Sequence, residues 1–331
     1  MFVAVVVGEA VALADGPGVR FTRVGSRRSR ALMHRFALPV FAVFAAMLIA
    51  ATDASAGSFR AYDTGISSTV HARTQGSVVG DEAGTALANA GDVNGDGIDD
   101  QLIGAPKAST LTRLENGAAY VVYGSRNGGP VDLANFSPAD GYVIHGPSNS
   151  ARTGSSVANA GDVNGDGIPD ALIGAYGVST NDGAAYVVYG RRTGTPNPPA
   201  AVDLNSGALP LTDGYRIIGS GGGFCGWGVD SAGDVNGDGV PDALVSCWSL
   251  GAFPRTNSGA AFVIYGRRQG GLTPRNVDLG SLPDTDGYAV VGPVANGELG
   301  WSIANAGDVN GDAVPDMIVG APYADNADAS G

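Results

Sequence analysis

Short apolar runs alternate along the chain with segments rich in Gly, Asn and Asp, and the apolar runs come in sets of four. One set comprises residues 154–161, 171–176, 183–190 and 214–219. Turn-forming residues bound every run, and the third run is rich in β-branched and aromatic residues, so each run is predicted to be a strand. The alternative, a helical repeat, is disfavoured because no segment keeps a 3.6-residue period over a useful length.

The set of strands recurs with a long period. The segment AGDVNGDGIPDALIG at 160–174 returns in close variants at 90–104, 232–246 and 306–320. The strands are apolar at consecutive positions, so both faces of each sheet must be covered, as when sheets pack face to face around an axis. The predicted fold is therefore all-β: a β-propeller of four-stranded antiparallel blades, with about four blades present and the ring incomplete.

The connections between the third and fourth strands vary most in length. They span residues 125–140, 191–213 and 267–286, and each contains the tripeptide Val-Asp-Leu. Variable loops on one face of a repeat array are a common place for a binding surface. The alternative, that they are spacers, is equally compatible with the sequence.

The acidic segments place oxygen ligands at alternating positions of a nine-residue loop. Asp, Asn, Asp and Asp occupy positions one, three, five and nine, and a backbone carbonyl falls at position seven. Such hard oxygen ligands suit Ca²⁺, and the loops contain no His or Cys for a softer metal. About four calcium ions are predicted, one per loop, on the residues Asp92, Asn94, Asp96, Ile98, Asp100, Asp162, Asn164, Asp166, Ile168, Asp170, Asp234, Asn236, Asp238, Val240, Asp242, Asp308, Asn310, Asp312, Val314 and Asp316.

These loops have two alternative interpretations. An EF-hand needs a bidentate Glu at position twelve, whereas these loops have Ile103, Ile173, Val245 and Val319 there. A metal-free hairpin turn rich in Asn, Asp and Gly is the other alternative. Four aligned copies with the same oxygen positions favour calcium.

The first 56 residues differ from the rest. Residues 33–56 combine a basic start, an apolar run and a small-residue cleavage site, which is typical of a signal peptide. Residues 1–32 are interpreted as a spurious or extended leader, and Arg27-Arg28 leaves a twin-arginine signal as an alternative export route. No membrane span is predicted in residues 57–331, which form the partial propeller. The protein is expected to be secreted, periplasmic or at the cell surface.

The net charge of −13 disfavours nucleic acid as a partner, because nucleic-acid binding needs a basic surface. No enzyme is predicted either, since no nucleophile motif, phosphate-binding loop or zinc cluster occurs.

The loops together with Gly104-Ala105-Pro106 and Gly320-Ala321-Pro322 resemble the FG-GAP repeats of integrin α-subunit propellers and their bacterial relatives. The resemblance covers about residues 75–331, although the "FG" pair is degenerate, as at Thr153-Gly154. It implies a calcium-stabilised propeller that acts in extracellular adhesion or recognition of a protein or carbohydrate, with partners bound opposite the calcium loops. The alternatives are a polysaccharide-processing propeller enzyme, an accessory domain of an extracellular hydrolase or lyase, and a structural surface-layer component.

Three further expectations follow from the aligned repeats. Cys225 and Cys247 replace the neighbouring "FG" and "GAP" positions of one repeat, which favours a disulfide over two buried thiols. The last sheet would leave an open edge, so the chain is expected either to form an open arc or to self-associate through that edge. Position six of the fourth loop is Ala313 instead of Gly, which weakens that site if the backbone there is left-handed and is harmless if it is right-handed.

Overall fold

The computed structural model describes residues 78–324, except 111, 127–130, 193–200, 206–208, 253 and 269–274, together with the backbone of four short strands nearer the N-terminus. Within these residues β-strands dominate and the only helices are short 3-10 turns. No helix among them combines the length and apolar character needed to cross a membrane. The predicted signal peptide at 33–56 lies outside the described residues.

The strands follow the repeats of the sequence. Before the first repeat come β1 (Phe2–Val7), β2 (Ala10–Asp15), β3 (Val19–Arg20) and β4 (Thr74–Gln75). The first repeat contains β5 (Ala86–Gly91), β6 (Asp100–Ala105), β7 (Ala118–Val122), β8 (Val131–Asp132) and β9 (Gly141–His145). The second contains β10 (Val157–Gly161), β11 (Asp170–Ala175), β12 (Ala184–Val188), β13 (Ala201–Asp203) and β14 (Gly214–Ile218). The third contains β15 (Val229–Gly233), β16 (Asp242–Cys247), β17 (Ala260–Ile264), β18 (Val277–Asp278) and β19 (Gly287–Val291), and the fourth contains β20 (Ser302–Gly307) and β21 (Asp316–Gly320). Short 3-10 helices at Leu133–Asn135 and Leu279–Ser281 follow β8 and β18.

Each of the first three repeats forms a four-stranded antiparallel sheet, as predicted. The four long strands of a repeat lie side by side in chain order, for example β15, β16, β17 and β19. In the fourth repeat β20 and β21 pair in the same antiparallel way, and β1 lies beside β21 in parallel.

The sheets pack face to face, and this explains the unbroken apolar runs. Leu172 and Ile173 are neighbours on β11 and both are fully buried. Leu172 packs in a core shared with the third sheet, whereas Ile173 packs in a core shared with the first. Because successive strand residues point to opposite faces, a sheet between two others needs apolar residues at every position. The first strands β5, β10, β15 and β20 lie next to one another in that order, which is the blade arrangement of a β-propeller.

Consecutive sheets approach so closely that their seam requires glycine. A Cβ at Gly104 would lie 1.9 Å from the carbonyl oxygen of Gly154 in the next repeat, and one at Gly174 would lie 2.1 Å from that of Gly226. The glycines of the "FG" and "GAP" positions thus face each other across the seam. Their role is to allow backbone-to-backbone packing between blades.

The variable connections contain an additional pairing that was not predicted from the sequence. β13 of the second repeat adds to β9 of the first sheet as a parallel edge strand, and β18 of the third repeat adds in the same way to β14 of the second. Each of these strands contains the Val-Asp pair of the recurring tripeptide. The tripeptides of the second and third repeats are therefore neither free loops nor plain spacers, because they attach each repeat to the sheet before it, whereas the first tripeptide, in β8, pairs with β4.

Candidate metal centre

Each acidic loop joins the first strand of a sheet to the second and curls around its first aspartate. In the first loop the two carboxylate oxygens of Asp92 accept the N–H groups of Asp96 and Gly97, both at 2.8 Å. Asp162 accepts the corresponding N–H groups of the second loop at 2.9 and 2.7 Å. The same two bonds recur at the first aspartates of the third and fourth loops.

Positions three, five and seven are also tied together identically. The asparagine oxygen at position three accepts the N–H of position five at 2.8 Å in every loop. The aspartate at position five accepts the N–H of position seven at 2.9 Å in every loop. These bonds bring the predicted ligands of each loop around one tight turn, and they involve the position-seven residues Ile98, Ile168, Val240 and Val314.

The ninth-position aspartates open the second strands and are almost completely buried. Relative exposure is 1 % or less at all four: Asp100, Asp170, Asp242 and Asp316. In the first three repeats one oxygen accepts an N–H from the glycine that follows the third strand, for example Gly190 to Asp170 at 2.9 Å. The other oxygen accepts an N–H from the start of the loop, for example Val163 to Asp170 at 3.0 Å.

Burial makes the carboxylates of Asp100, Asp170 and Asp242 hard to ionise without a cation nearby. Burial raises the pKa of Asp100 and that of Asp242 to about 7, and it raises the pKa of Asp170 well above its usual range. Backbone N–H donors lower these pKa values, while the other aspartates of the same loop raise them further. A bound cation would offset both the burial and the mutual repulsion.

The oxygen atoms of each loop suit a hard cation, although the side chains do not converge on one point. Nowhere in the described residues do three or more His, Cys, Asp or Glu side chains converge as a ready metal site. Each carboxylate oxygen has two lone pairs, so an oxygen that accepts a single N–H, such as either oxygen of Asp92, keeps acceptor capacity free. Oxygen ligands without nitrogen or sulfur suit calcium.

Position six is left-handed in every loop. The φ angles are +86° at Gly97, +86° at Gly167, +81° at Gly239 and +68° at Ala313. The backbone at Ala313 is therefore left-handed, the case in which a weaker site is expected, and the right-handed alternative is wrong. The N–H of Ala313 donates to Asp308 at 2.9 Å, as the glycines do in their own loops.

The FG-GAP repeat family matches residues 83–122, 153–188 and 299–331. The chain carries FG-GAP repeats. The FG-GAP match omits the third repeat, where Cys247 and Trp248 stand in place of Ala and Pro, although that repeat folds into the same four-stranded sheet.

The similar curated proteins contain the same kind of repeat region. Human phosphatidylinositol-glycan-specific phospholipase D is 34 % identical over 193 residues, which are 57 % of this chain and 20 % of that protein. Integrin alpha-PS2 of Drosophila melanogaster is 30 % identical over 184 residues, 53 % of this chain and 12 % of that protein. Integrin alpha-4 of Xenopus laevis is 30 % identical over 174 residues, 52 % of this chain and 15 % of that protein. The chain thus spans a fifth or less of the length of these relatives.

A pair of arginines follows the third strand of the second and third repeats, and each pair contacts the acidic loop of the preceding repeat. The N–H of Arg191 donates to the carbonyl of Val93 in the first loop, and that of Arg267 donates to Val163 in the second, both at 2.7 Å. A Cβ at Gly95 would lie 2.9 Å from Cγ of Arg192. Sequence reasoning missed this contact, although the repeated Tyr-Gly-Arg-Arg at 189–192 and 265–268 was a usable signal.

The ends of the first and second strands that lie away from the acidic loops carry a disulfide and aromatic side chains. In the third repeat Cys225 and Cys247 are joined by a disulfide, and both residues are buried. Around them six aromatic rings form a connected group with centroid separations of 5.1–6.3 Å. We call it the aromatic cluster, and its members are Tyr176, Phe224, Trp227, Trp248, Trp301 and Tyr323.

The aromatic cluster occupies equivalent positions of the second, third and fourth repeats. Trp227 and Trp301 directly follow the "FG" glycines, and Tyr176 and Trp248 take the place of the "GAP" proline. Trp301 is 38 % exposed and Tyr323 is 60 % exposed. In the first repeat this end of the sheet is polar, with an ion pair of 2.6 Å between Lys107 and Glu82.

Proposed function

We propose that the chain is a calcium-stabilised recognition module that acts outside the cytoplasm. The observation that carries this proposal is the fourfold recurrence of one loop geometry, with the same oxygen positions at the same place in each sheet. A turn with no ligand requires no such repetition of buried and clustered carboxylates, because the backbone N–H donors offset only part of the cost of burying Asp100, Asp170 and Asp242.

Calcium would be held by the oxygens of positions one, three, five, seven and nine of each loop. It supplies positive charge, which offsets the repulsion between the three aspartates and the burial of the ninth position. The residues of the loop already hold the turn through backbone hydrogen bonds. Calcium therefore has a stabilising role in this proposal and takes no part in a reaction.

The aromatic cluster is the proposed recognition surface, and an extracellular protein or carbohydrate is the proposed ligand. It lies at the end of the strands away from the calcium loops, and exposed aromatic groups of this size are typical of binding sites. Export is supported by the signal-peptide pattern at 33–56 and by the disulfide.

Ligand binding is tested with arrays of polysaccharides and extracellular-matrix proteins in calcium buffer. Wild-type protein is expected to bind at least one class, and Trp301→Ala is expected to weaken that binding. Leu114→Ala is the matched control, because Leu114 is 70 % exposed and lies in the first repeat, away from the cluster. Equal binding by both variants would contradict the assignment of this surface.

A second candidate is an accessory domain of an extracellular hydrolase, and the match to phosphatidylinositol-glycan-specific phospholipase D favours it. The matched segment is the FG-GAP region and covers 20 % of that protein. Incubation of the purified chain with polysaccharides tests for activity of its own: new reducing ends would show a propeller enzyme, and binding without cleavage would support a recognition or accessory role.

A further inference from the structure

Two successive backbone N–H groups connect the second acidic loop to the first. Gly190 donates to Asp170, the ninth-position aspartate of its own loop, at 2.9 Å. The next residue, Arg191, donates to the carbonyl of Val93 at position two of the preceding loop, at 2.7 Å. We call such a Gly-Arg dipeptide a bridging pair, because its two donors hold two different loops.

A second bridging pair connects the third loop to the second. Gly266 donates to the ninth-position Asp242 at 2.9 Å. Arg267 donates to the carbonyl of Val163 at 2.7 Å, and Val163 donates its own N–H to Asp170 at 3.0 Å. The ninth-position aspartates of these two loops are therefore joined by a short chain of hydrogen bonds that passes through Val163 and the bridging pair.

The glycine of each bridging pair is in close contact with the loops it connects. A Cβ at Gly190 would lie 2.3 Å from the carbonyl oxygen of Pro169 in its own loop and 3.0 Å from that of Val93 in the preceding loop. A Cβ at Gly266 would lie 2.2 Å from the carbonyl oxygen of Pro241 in its own loop. Because packing this close transmits strain, a change in the shape of one loop displaces the donor to the other.

Arg268 adds a second link between the second and third loops. Its guanidinium donates to the carbonyl of Gly239, at position six of the third loop, at 3.3 Å. Its Cγ lies 2.8 Å from the place that a Cβ would take at Gly165, position four of the second loop. One side chain therefore contacts two neighbouring loops.

We propose that the bridging pairs couple neighbouring calcium loops, so that calcium bound at one loop strengthens calcium binding at the next. This inference rests on the proposed calcium sites, and it adds that the sites act together. The bridging pairs are positioning residues, because they orient the ninth-position aspartates and do not themselves contact the ion.

The sequence of contacts explains how the coupling arises. When the second loop holds calcium, Asp170 is fixed as a ligand, and its hydrogen bond holds Val163 in place. The carbonyl of Val163 then holds Arg267, and Gly266 stays in position to orient Asp242. The third loop therefore loses less conformational freedom when it binds calcium in turn. Coulomb repulsion between two bound cations acts in the opposite direction, so the sign of the coupling distinguishes the two effects.

The coupling is measured by NMR on the full chain, labelled with ¹⁵N-glycine and freed of metal by a chelator before titration with calcium. The N–H groups of Gly167 and Gly239 donate to the first aspartates of their loops at 2.7 and 2.8 Å, so their signals report binding at each loop separately. Asp238→Asn removes one ligand charge from the third loop but keeps an oxygen for the N–H of Val240. The calcium affinity of the second loop, measured at Gly167, should then fall about fivefold.

Reciprocity and removal of the bridge give two further measurements. Asp166→Asn in the second loop should weaken the third loop by the same factor, because the coupling free energy between two sites is reciprocal. Arg267→Pro removes the bridging N–H, so that Asp238→Asn should then leave the second loop unchanged.

Two control variants match these substitutions. Ser125→Pro should preserve the coupling, because Ser125 has the same place in the first repeat, where no acidic loop of this kind comes earlier in the sequence. Asp284→Asn removes a charge from an exposed site of the third repeat and should leave the second loop unchanged.

Unchanged or tighter calcium binding at the second loop in Asp238→Asn would overturn the coupling and leave calcium binding itself intact. Signals of Gly167 and Gly239 that do not respond to calcium in the wild type would overturn the proposed function together with the coupling. The loop substitutions leave the bridging pairs unaltered, so they remain decisive if Arg267→Pro does not fold.

Discussion

Replacing Ala313 by glycine should strengthen calcium binding at the fourth loop. The backbone there has a φ of +68°, and Gly97, Gly167 and Gly239 have φ angles between +81° and +86° at the same position. A residue with a Cβ costs about 1–2 kcal/mol in this left-handed region, whereas glycine adopts it freely. If the loop adopts this left-handed conformation only when calcium is bound, the glycine substitution removes the strain from the bound state alone. The dissociation constant for calcium then falls by about one order of magnitude.

Isothermal titration with calcium, after removal of bound metal by a chelator, measures this change at the weakest site. Gly239→Ala in the third loop is the matched reverse substitution and should weaken one site by about the same factor. If the loop keeps its shape without calcium, the relief appears as a higher melting temperature in chelator and the affinity stays constant. The reasoning is refuted if Ala313→Gly changes neither the weakest affinity nor that melting temperature.

Three other perturbations test the fold. Leu172→Ala removes a completely buried side chain between two sheets and should lower the free energy of unfolding, measured by urea titration, by about 2–5 kcal/mol. Leu114→Ala is the control, because Leu114 is 70 % exposed, and it should change that free energy by no more than about 0.5 kcal/mol. Unfolded, unreduced protein should show no free thiol, and reduction should lower stability by about 3 kcal/mol for cysteines separated by 22 residues; two reactive thiols before reduction would contradict the disulfide. Arg113→Ala should cost about 1 kcal/mol, since it breaks the pair with the half-exposed Asp203, and Lys107→Ala, which breaks a more exposed pair, should cost less.

The strands and loops could be predicted from the sequence because their signals are local. Residues 171–176 were predicted as a strand, and β11 occupies Asp170–Ala175. Its continuous apolar character also predicted sheets covered on both faces, and the opposite orientations of Leu172 and Ile173 confirm this. The backbone at position six was only partly predictable, because three glycines and one alanine left both a left-handed and a right-handed conformation open.

The contacts between repeats could not be predicted in the same way. The pairing of β13 with β9 joins residues about sixty positions apart, and three residues of Val-Asp-Leu carry too little pattern to specify a partner strand. The aromatic cluster likewise depends on the seam between sheets, which brings Trp227 within 5.4 Å of Trp301. The distance between such positions is a property of the packed fold.

Calcium stoichiometry tests the central proposal most directly. Protein freed of metal and then dialysed against calcium should contain about four calcium ions per chain by elemental analysis, one for each loop. Its melting temperature should rise with calcium, because a ligand that binds only the folded state stabilises it. Asp170→Asn, which removes one buried carboxylate charge, should reduce the count by one. A protein that retains no calcium and melts at the same temperature with calcium and with chelator would contradict the proposal.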